Sequence, residues 1–233
     1  MSKCLVSVDW DYFIYTKEEY WGSYIENKRS LVDLWYKRYL MEKSKGRDIK
    51  EFYRLSPDWK TFWDNIKKRF SFAEDVSAFV SDSHALSYDI AKEYGCRTVC
   101  LFDSHADLGY GGLSSLCFEV NCSNWLGMLL GDRQIEEAYI FYSPYTAEKP
   151  EDFRQINGMF NIKYCSIDDF GNNFTVSDVH VCRSGAWTPP WYDEKFAEFT
   201  DAMGFTYKTV DCPARDWEPE NLDYSQQINY LLA

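Results

Sequence analysis

The sequence predicts a single α/β domain of three layers, in which a mostly parallel sheet is covered by helices on both faces. Short apolar runs of strand type alternate with segments of helical spacing along the 233 residues. The runs are continuously apolar, which is typical of parallel strands buried on both faces. The chain shows no internal repeat, low-complexity tract or linker, and its length suits one large core. These observations favour one domain over residues 1–233.

The predicted strands and helices alternate along the chain, apart from the aromatic-rich stretch between the first strand and the helix that starts at Ser56. Ser56 and Pro57 mark a helix start, with serine as N-cap and proline in the first turn. Gly95 and Gly131 mark the ends of two later helices. The predicted strands are 4–8, 76–80, 99–102, 138–142, 162–167, 178–182 and 206–210. The predicted helices are 56–70, 85–94, 124–130 and 193–203.

An aromatic-rich and highly charged insertion occupies about residues 14–56. Leu31, Leu34, Trp35 and Arg38 follow helical spacing, which predicts a helix in part of it. A segment of this length between core elements is either an appended subdomain or a lid over a site. The sequence leaves both open.

Composition excludes several classes of partner. The net charge of −12 argues against nucleic acid or an anionic membrane. It is compatible with a cationic small-molecule substrate or a metal, although acidity is also an ordinary means of keeping a protein soluble. The sequence does not predict the oligomeric state of the protein. The apolar segment at residues 4–6 is too short for a signal peptide, and no apolar run is long enough to span a membrane. We therefore expect a cytoplasmic protein. The eight cysteines are expected to be free thiols, and because no C-x-x-C pair occurs, a zinc site made of cysteines is not supported.

The segment Asp103-Ser104-His105-Ala106-Asp107 follows the third predicted strand directly. Strand side chains alternate, so Asp103, His105 and Asp107 share one face if the chain stays extended. One imidazole between two carboxylates suits manganese, iron or zinc. The alternative is a surface turn in which the aspartates cap and the histidine is incidental.

Two other predicted strands also end in potential metal ligands. Asp9 and Asp11 follow the first strand, and His84 follows the second. Ligands of open α/β sheets lie beyond the carboxyl ends of the strands. Neighbouring strand ends with so much negative charge need cations to neutralise it. The predicted ligands of two divalent ions are Asp9, Asp11, His84, Asp103, His105 and Asp107.

Each ligand also has a simpler interpretation. Asp9 and Asp11 could form a turn, or the nucleophile motif of an aspartate-dependent phosphatase with Asp168 and Asp169 as magnesium ligands. His84 could be a hydrogen-bonded residue at a helix start, with Asp82 as N-cap. His180 lies within a predicted strand and is expected to be a core residue whose ring nitrogens are hydrogen-bonded.

Three short segments resemble the arginase and agmatinase (ureohydrolase) family, and the pair Asn124-Trp125 and the Trp-Thr-Pro-Pro-Trp segment at 187–191 are closer to its uncharacterised arginase-like members. Residues 103–107 resemble the family's Asp-Ala-His-x-Asp signature, and residues 81–85 its Gly-Gly-Asp-His-Ser motif. Residues 7–11 resemble its Ser-x-Asp-x-Asp motif, moved here to the N-terminal end of the chain. The resemblance implies an arginase-like fold with a binuclear centre of manganese, or of iron or zinc.

The chain departs from the family pattern at several positions. Trp125 and Leu126 occupy the region of the histidine that shuttles protons in arginases, and Asp211 lies near the expected substrate-binding glutamate. Tyr12 and Phe13 replace the Asp-Pro that follows the third motif. The metal centre is therefore better supported than ureohydrolysis.

The expected activity is hydrolysis of a C–N bond in a small guanidino or amide compound through a metal-bridging hydroxide. Asp107 or Asp11 would hydrogen-bond that hydroxide as catalytic residues. The predicted substrate-binding residues are Arg183, Ser184, Trp187 and Asp211, although packing of the loop explains the first three equally well. The alternatives are a non-catalytic metal-binding protein or the phosphatase described above.

Overall fold

A computed structural model describes residues 2–16, 31–168, 170–171 and 174–232. Every strand and helix predicted from sequence has a counterpart in it. The strands are β1 (Lys3–Asp9), β2 (Ile14–Thr16), β3 (Tyr53–Leu55), β4 (Ser71–Ser81), β5 (Thr98–Asp103), β6 (Glu137–Tyr142), β7 (Ile162–Tyr164), β8 (Thr175–Cys182) and β9 (Tyr207–Val210). The α-helices are α1 (Leu31–Ser44), α2 (Phe62–Arg69), α3 (Leu86–Tyr94), α4 (Trp125–Gly131), α5 (Arg154–Asn157), α6 (Asp193–Ala202) and α7 (Tyr224–Leu232).

Seven of the strands form one parallel sheet in the order β7-β6-β5-β1-β8-β4-β9. Strand β1 is central and fully buried beyond Lys3, because helices cover both of its faces. The chain passes from β4 on one side of β1 to β5 on the other through α3. Such a change of direction opens a crevice at the carboxyl ends of the strands.

Two apolar layers fill the space between the sheet and its helices. One contains Phe62 and Trp63 of α2 and Phe199 of α6, packed on Val6 and Val8 of β1. The other contains residues of α3 and α4, such as Ile90 and Leu129, packed on the opposite face. The predicted three-layer α/β fold with a parallel sheet is therefore confirmed.

The aromatic-rich insertion leaves and rejoins the domain through a small antiparallel ribbon. Strands β2 and β3 pair there, with Ile14 opposite Leu55. The predicted helix is α1, which packs against α7 near the C-terminal end. Neither the ribbon nor α7 was predicted, because three-residue strands and a short terminal helix carry little periodicity. Residues 17–30 of the insertion lie outside the described residues, as does Asp169.

The carboxyl ends of the central strands stand level with one another. Asp9 of β1 pairs with Cys182 of β8, which also pairs with Ser81 of β4. On the other side of β1, Val8 pairs with Phe102, so Asp9 and Asp103 are neighbours. The three strands that carry candidate ligands do not all adjoin one another, because β8 separates β4 from β1. His84 therefore reaches the site from the loop beyond β4.

Two further expectations concern the whole chain. No disulfide joins any of the eight cysteines, all of which lie in the described part of the chain. Among the described residues, no helix has the length and apolar character needed to cross a membrane.

Candidate metal centre

Five of the six predicted ligands meet at the carboxyl end of the sheet in two groups that share Asp103, and the sixth, Asp107, joins the first group through its contact with His84. Asp9, His84 and Asp103 form one group, and Asp11, Asp103 and His105 form the other. Within each group the potential ligand atoms lie within 4.8 Å of one another. Buried Asp and His groups of this kind could hold a metal ion.

The first group is closed. His84 Nδ1 lies 3.2 Å from Asp9 Oδ2 and 3.0 Å from Asp103 Oδ2 and from Asp107 Oδ2. The His84 side chain is 1 % exposed and the three carboxylates are 1–7 % exposed. Three carboxylate oxygens thus surround one imidazole nitrogen out of contact with bulk water.

The second group is open on one side. His105 Nδ1 lies 3.1 Å from Asp11 Oδ2 and 3.5 Å from Asp103 Oδ1. The His105 side chain is 36 % exposed, whereas Asp11 is 9 % exposed. Asp103 therefore presents Oδ2 to the closed group and Oδ1 to the open group.

The path of the chain through residues 103–107 differs from the extended strand that was predicted. Strand β5 ends at Asp103, and the His105 backbone N–H donates to Asp103 Oδ1 over 2.8 Å. Asp107 has a φ of 50°, in the left-handed region that costs an aspartate conformational energy. This turn sends Asp107 to the closed group and His105 to the open one, so the three side chains do not share one face.

Two buried polar atoms of the closed group support a cation there. His84 Nδ1 and Asp103 Oδ2 are buried without a hydrogen-bond partner in the described structure, although they lie 3.0 Å apart. Leaving buried polar atoms unsatisfied is costly, so nearly all of them are paired in folded proteins. A cation among these oxygen and nitrogen atoms would satisfy both, and the donor set suits a divalent metal.

Without a cation, burial and the neighbouring charges shift the pKa values of His84 and Asp103. Burial raises the pKa of Asp103 well above its usual range, and the charges of Asp11, Asp107 and Asp9 raise it further. Burial by itself would lower the pKa of His84, but Asp103, Asp107 and Asp9 outweigh it and hold that pKa well above 6.5. Without metal, protons therefore supply the positive charge that the carboxylates need.

The metal-free protein is expected to lose stability as the pH rises above 6.5. A histidine whose pKa is raised on folding stabilises the protein fully below its unfolded value of 6.5, and this stabilisation is lost as the pH rises through the folded value. The free energy of unfolding should fall by up to about 1.4 kcal/mol per pH unit for His84. Urea unfolding between pH 6 and 9 measures it, and a flat profile for the metal-free protein would contradict the prediction.

Several side chains that sequence reasoning missed support the ligands. Trp125 Nε1 donates to Asp107 Oδ2 over 2.6 Å, and its ring lies 4.9 Å from the ring of His84. The Glu148 carboxylate accepts a hydrogen bond from the Ala106 backbone N–H at 2.9 Å and another from the Tyr110 hydroxyl. Glu148 lies in the loop beyond β6, and the carboxyl-end rule for parallel sheets is the signal that could have pointed to it.

The predicted substrate-binding residues fall in three different places. Ser184 donates from its hydroxyl to Asp9 Oδ2, and Trp187 lies with its ring centroid 5.8 Å from that of His105. Both adjoin the centre. Asp211 is exposed at the end of β9, which β8 and β4 separate from β1, about 14 Å away at the usual strand spacing.

The Arg183 guanidinium makes hydrogen bonds to other residues of the protein. Its Nε and Nη2 donate to the two oxygens of Asp82 over 2.9 and 2.7 Å, and its Nη1 donates to Asp193 over 3.2 Å. The guanidinium is buried and joins the loop beyond β8 to the loop that carries His84. The structure therefore gives Arg183 a positioning role, and Asp82 is its partner rather than the N-cap of α3. A contact between Arg183 and substrate stays a prediction.

Comparison with known proteins finds no matching family model, no matching curated protein and no matching solved structure.

Proposed function

We propose that this protein is a binuclear metal-dependent hydrolase that cleaves a C–N bond in a small guanidino or amide compound. The observation that carries the proposal is the position of Asp103, whose two oxygens face two different Asp/His groups. A shared carboxylate of this kind suits two ions a few ångströms apart. Manganese is the proposed metal, with iron and zinc as the other candidates for this mixture of nitrogen and oxygen ligands.

The two groups differ in a way that supports catalysis. Asp9, His84, Asp103 and Asp107 form a closed set, which suits a metal with a structural task. The open group has fewer protein ligands, and its histidine is partly exposed. Catalytic metal sites keep a position free for water or substrate, whereas structural sites are closed. Substrate would therefore approach the centre beside His105.

Two divalent ions, when bound, acidify a water molecule and polarise the bond under attack. The chain's own residues prepare this site. Asp11 Oδ2 faces the open group and is placed to accept a hydrogen bond from the attacking water. Asp107 is held through Trp125 on the closed side. The Trp187 ring stands beside His105, where it would limit access of bulk water and pack on a substrate.

The proposed substrate class rests on charge and on the motif resemblance. Glu148 lies beside the Asp-x-His-x-Asp segment, and the chain as a whole carries a net charge of −12. Such surroundings favour a cationic compound such as a guanidine over an anionic one. The arginase-like motifs point to the same class, and family membership is part of this proposal.

The test is a substrate screen with the Mn²⁺-loaded protein. Guanidino compounds and acylated amines are supplied, and release of urea, ammonia or carboxylate is measured. We expect turnover with one class, and a loss of about 10²- to 10⁴-fold in kcat for Asp11→Asn. Asp178→Asn, which alters another buried aspartate outside the centre, is the matched control and should retain activity. Absence of turnover at full metal occupancy would rule out the hydrolase for these compounds.

A metal-binding protein without catalysis is the second candidate, and one observation favours it. Trp125, in the region where the resemblance implies a shuttle histidine, donates a hydrogen bond to a ligand and has no titratable group. The phosphatase alternative has less support. Asp168 is 81 % exposed and pairs with Arg69 on the surface, while Asp9 lies buried beside His84.

A further inference from the structure

A buried line of hydrogen bonds runs from His84 away from the proposed metal centre. His84 Nε2 lies 2.7 Å from Ser7 Oγ, which lies 2.7 Å from Ser87 Oγ. Ser87 Oγ lies 2.6 Å from His180 Nδ1. On the far side of the ring, His180 Nε2 lies 2.8 Å from Ser81 Oγ. The line joins β1, α3, β8 and β4, and its side chains are at most 2 % exposed.

The line has only one arrangement of protons that satisfies every member with a neutral His180. Ser81 Oγ donates to the carbonyl oxygen of Ser83 over 2.9 Å, so its single proton is used there. It must then accept from His180 Nε2–H, which leaves His180 Nδ1 as an acceptor for the hydroxyl of Ser87. Ser87 in turn accepts from Ser7, and Ser7 accepts from His84 Nε2–H. Every donor points away from the centre.

A neutral His180 follows from its surroundings. In the described structure its ring nitrogens bond to two hydroxyl oxygens, and no carboxylate pairs with them. An imidazolium buried there would lack a counter-charge, which is costly in the interior. The opposite direction of donation along the line would need a second proton on His180 and is therefore disfavoured.

The consequence for His84 is a fixed tautomer and a fixed ring orientation. With its proton on Nε2, a neutral His84 presents the lone pair of Nδ1 to Asp9, Asp103 and Asp107. Histidines that bind metals commonly donate their other ring N–H to a neighbour, which sets tautomer and orientation. Here that neighbour is a serine whose own proton is directed by His180 through Ser87.

We propose that His180 is a positioning residue for the metal centre, which holds His84 in its metal-binding tautomer through Ser87 and Ser7. The inference rests on the proposed metal centre and does not depend on which reaction occurs there. It also explains why a histidine lies within an otherwise apolar part of β8.

Ser87→Ala tests the inference with a small change of volume, and His180→Phe tests it from the other end. Zn²⁺ affinity is measured by competition with a chromophoric chelator. The ring nitrogens of the chain's three histidines are observed by ¹⁵N NMR in the Zn²⁺-loaded protein. Thr200→Val removes a buried hydroxyl that bonds to a carbonyl within α6 and is the matched control.

We expect Ser87→Ala and His180→Phe to weaken Zn²⁺ binding by about 10- to 100-fold. The His84 signals should change from a single Nε2–H, Nδ1-bound form to a mixture, while Thr200→Val matches the wild type. Unchanged affinity and unchanged His84 signals in both variants would overturn the role of His180. An equal loss of affinity in Thr200→Val, with His84 signals intact, would also overturn it, because general loosening would then be the cause. Failure of the wild-type protein to bind Zn²⁺ or Mn²⁺ would instead overturn the metal centre itself.

Discussion

Asp103→Asn is expected to release both metal ions from the protein. Asparagine has nearly the same shape, but it removes the charge that the two groups share and replaces one oxygen by an amide nitrogen. Metal analysis after loading with Mn²⁺ and gel filtration should fall from about two ions per chain to almost none. The large effect follows from the geometry, because Asp103 Oδ2 faces His84 and Oδ1 faces His105.

His105→Ala tests whether Asp103 is shared by two metal sites or serves only one of them. This variant keeps Asp9, His84, Asp103 and Asp107, so it should retain about one ion per chain. Asp178→Asn is the control for loss of a buried carboxylate, since Asp178 is 2 % exposed and contacts Ser177 and Cys96 instead. If Asp103→Asn retained one tightly bound ion, the proposed sharing of Asp103 would be wrong.

Arg183→Ala is expected to lower the free energy of unfolding by about 3–5 kcal/mol. The substitution would leave the Asp82 carboxylate, which is only 5 % exposed, without its positively charged partner. Asp193 would keep its contact with Arg215. The Gly185 backbone packs directly on Asp82, since a Cβ added to Gly185 would lie only 2.6 Å from Asp82 Oδ1. The Asp82 carboxylate therefore has little room to move. Urea unfolding of the metal-free protein measures the effect separately from metal binding.

The exposed pair between Arg97 and Glu136 provides the matched control. Its side chains are 47 % and 64 % exposed, so Arg97→Ala should cost no more than about 1 kcal/mol. The double variant Arg183→Met with Asp82→Asn should regain part of the lost stability, because it no longer buries an unpaired charge. A cost for Arg183→Ala as small as that for Arg97→Ala would show that the buried pair does not hold the two loops.

The insertion acts on the centre through the loop beyond β8. Trp35 Nε1 of α1 donates to the carbonyl of Gly185 over 2.7 Å, and Arg38 Nη1 donates to that of Ala186 over 2.8 Å. Arg215 Nη1 also donates to the Gly185 carbonyl, at 2.7 Å. This loop carries Ser184, whose hydroxyl contacts Asp9, and Trp187, whose ring lies beside His105. Helix α1 therefore helps to shape the open side of the centre, whichever description suits the insertion as a whole.

The sequence by itself determined the strands of the main sheet, most of the helices and the candidate ligands. Strand and helix positions follow from apolar runs and from local signals, such as the N-cap Ser56, whose Oγ accepts from the Asp58 N–H, and Gly95, which ends α3 with a φ of 68°. The six candidate ligands could be predicted together because parallel strands place their carboxyl ends at one edge, whatever their order. His180 was correctly predicted as a hydrogen-bonded core residue.

Only the tertiary structure decided how those residues are grouped. The position of β8 between β1 and β4 depends on contacts between residues distant in sequence, and no local pattern encodes it. The turn at Asp107 divides the Asp-x-His-x-Asp segment between two groups, which a strand periodicity of two could not predict. The pairing of Arg183 with Asp82 and the line from His84 to His180 join residues about a hundred positions apart. Local sequence sets which side chains are available, and the packing of distant strands sets which of them meet.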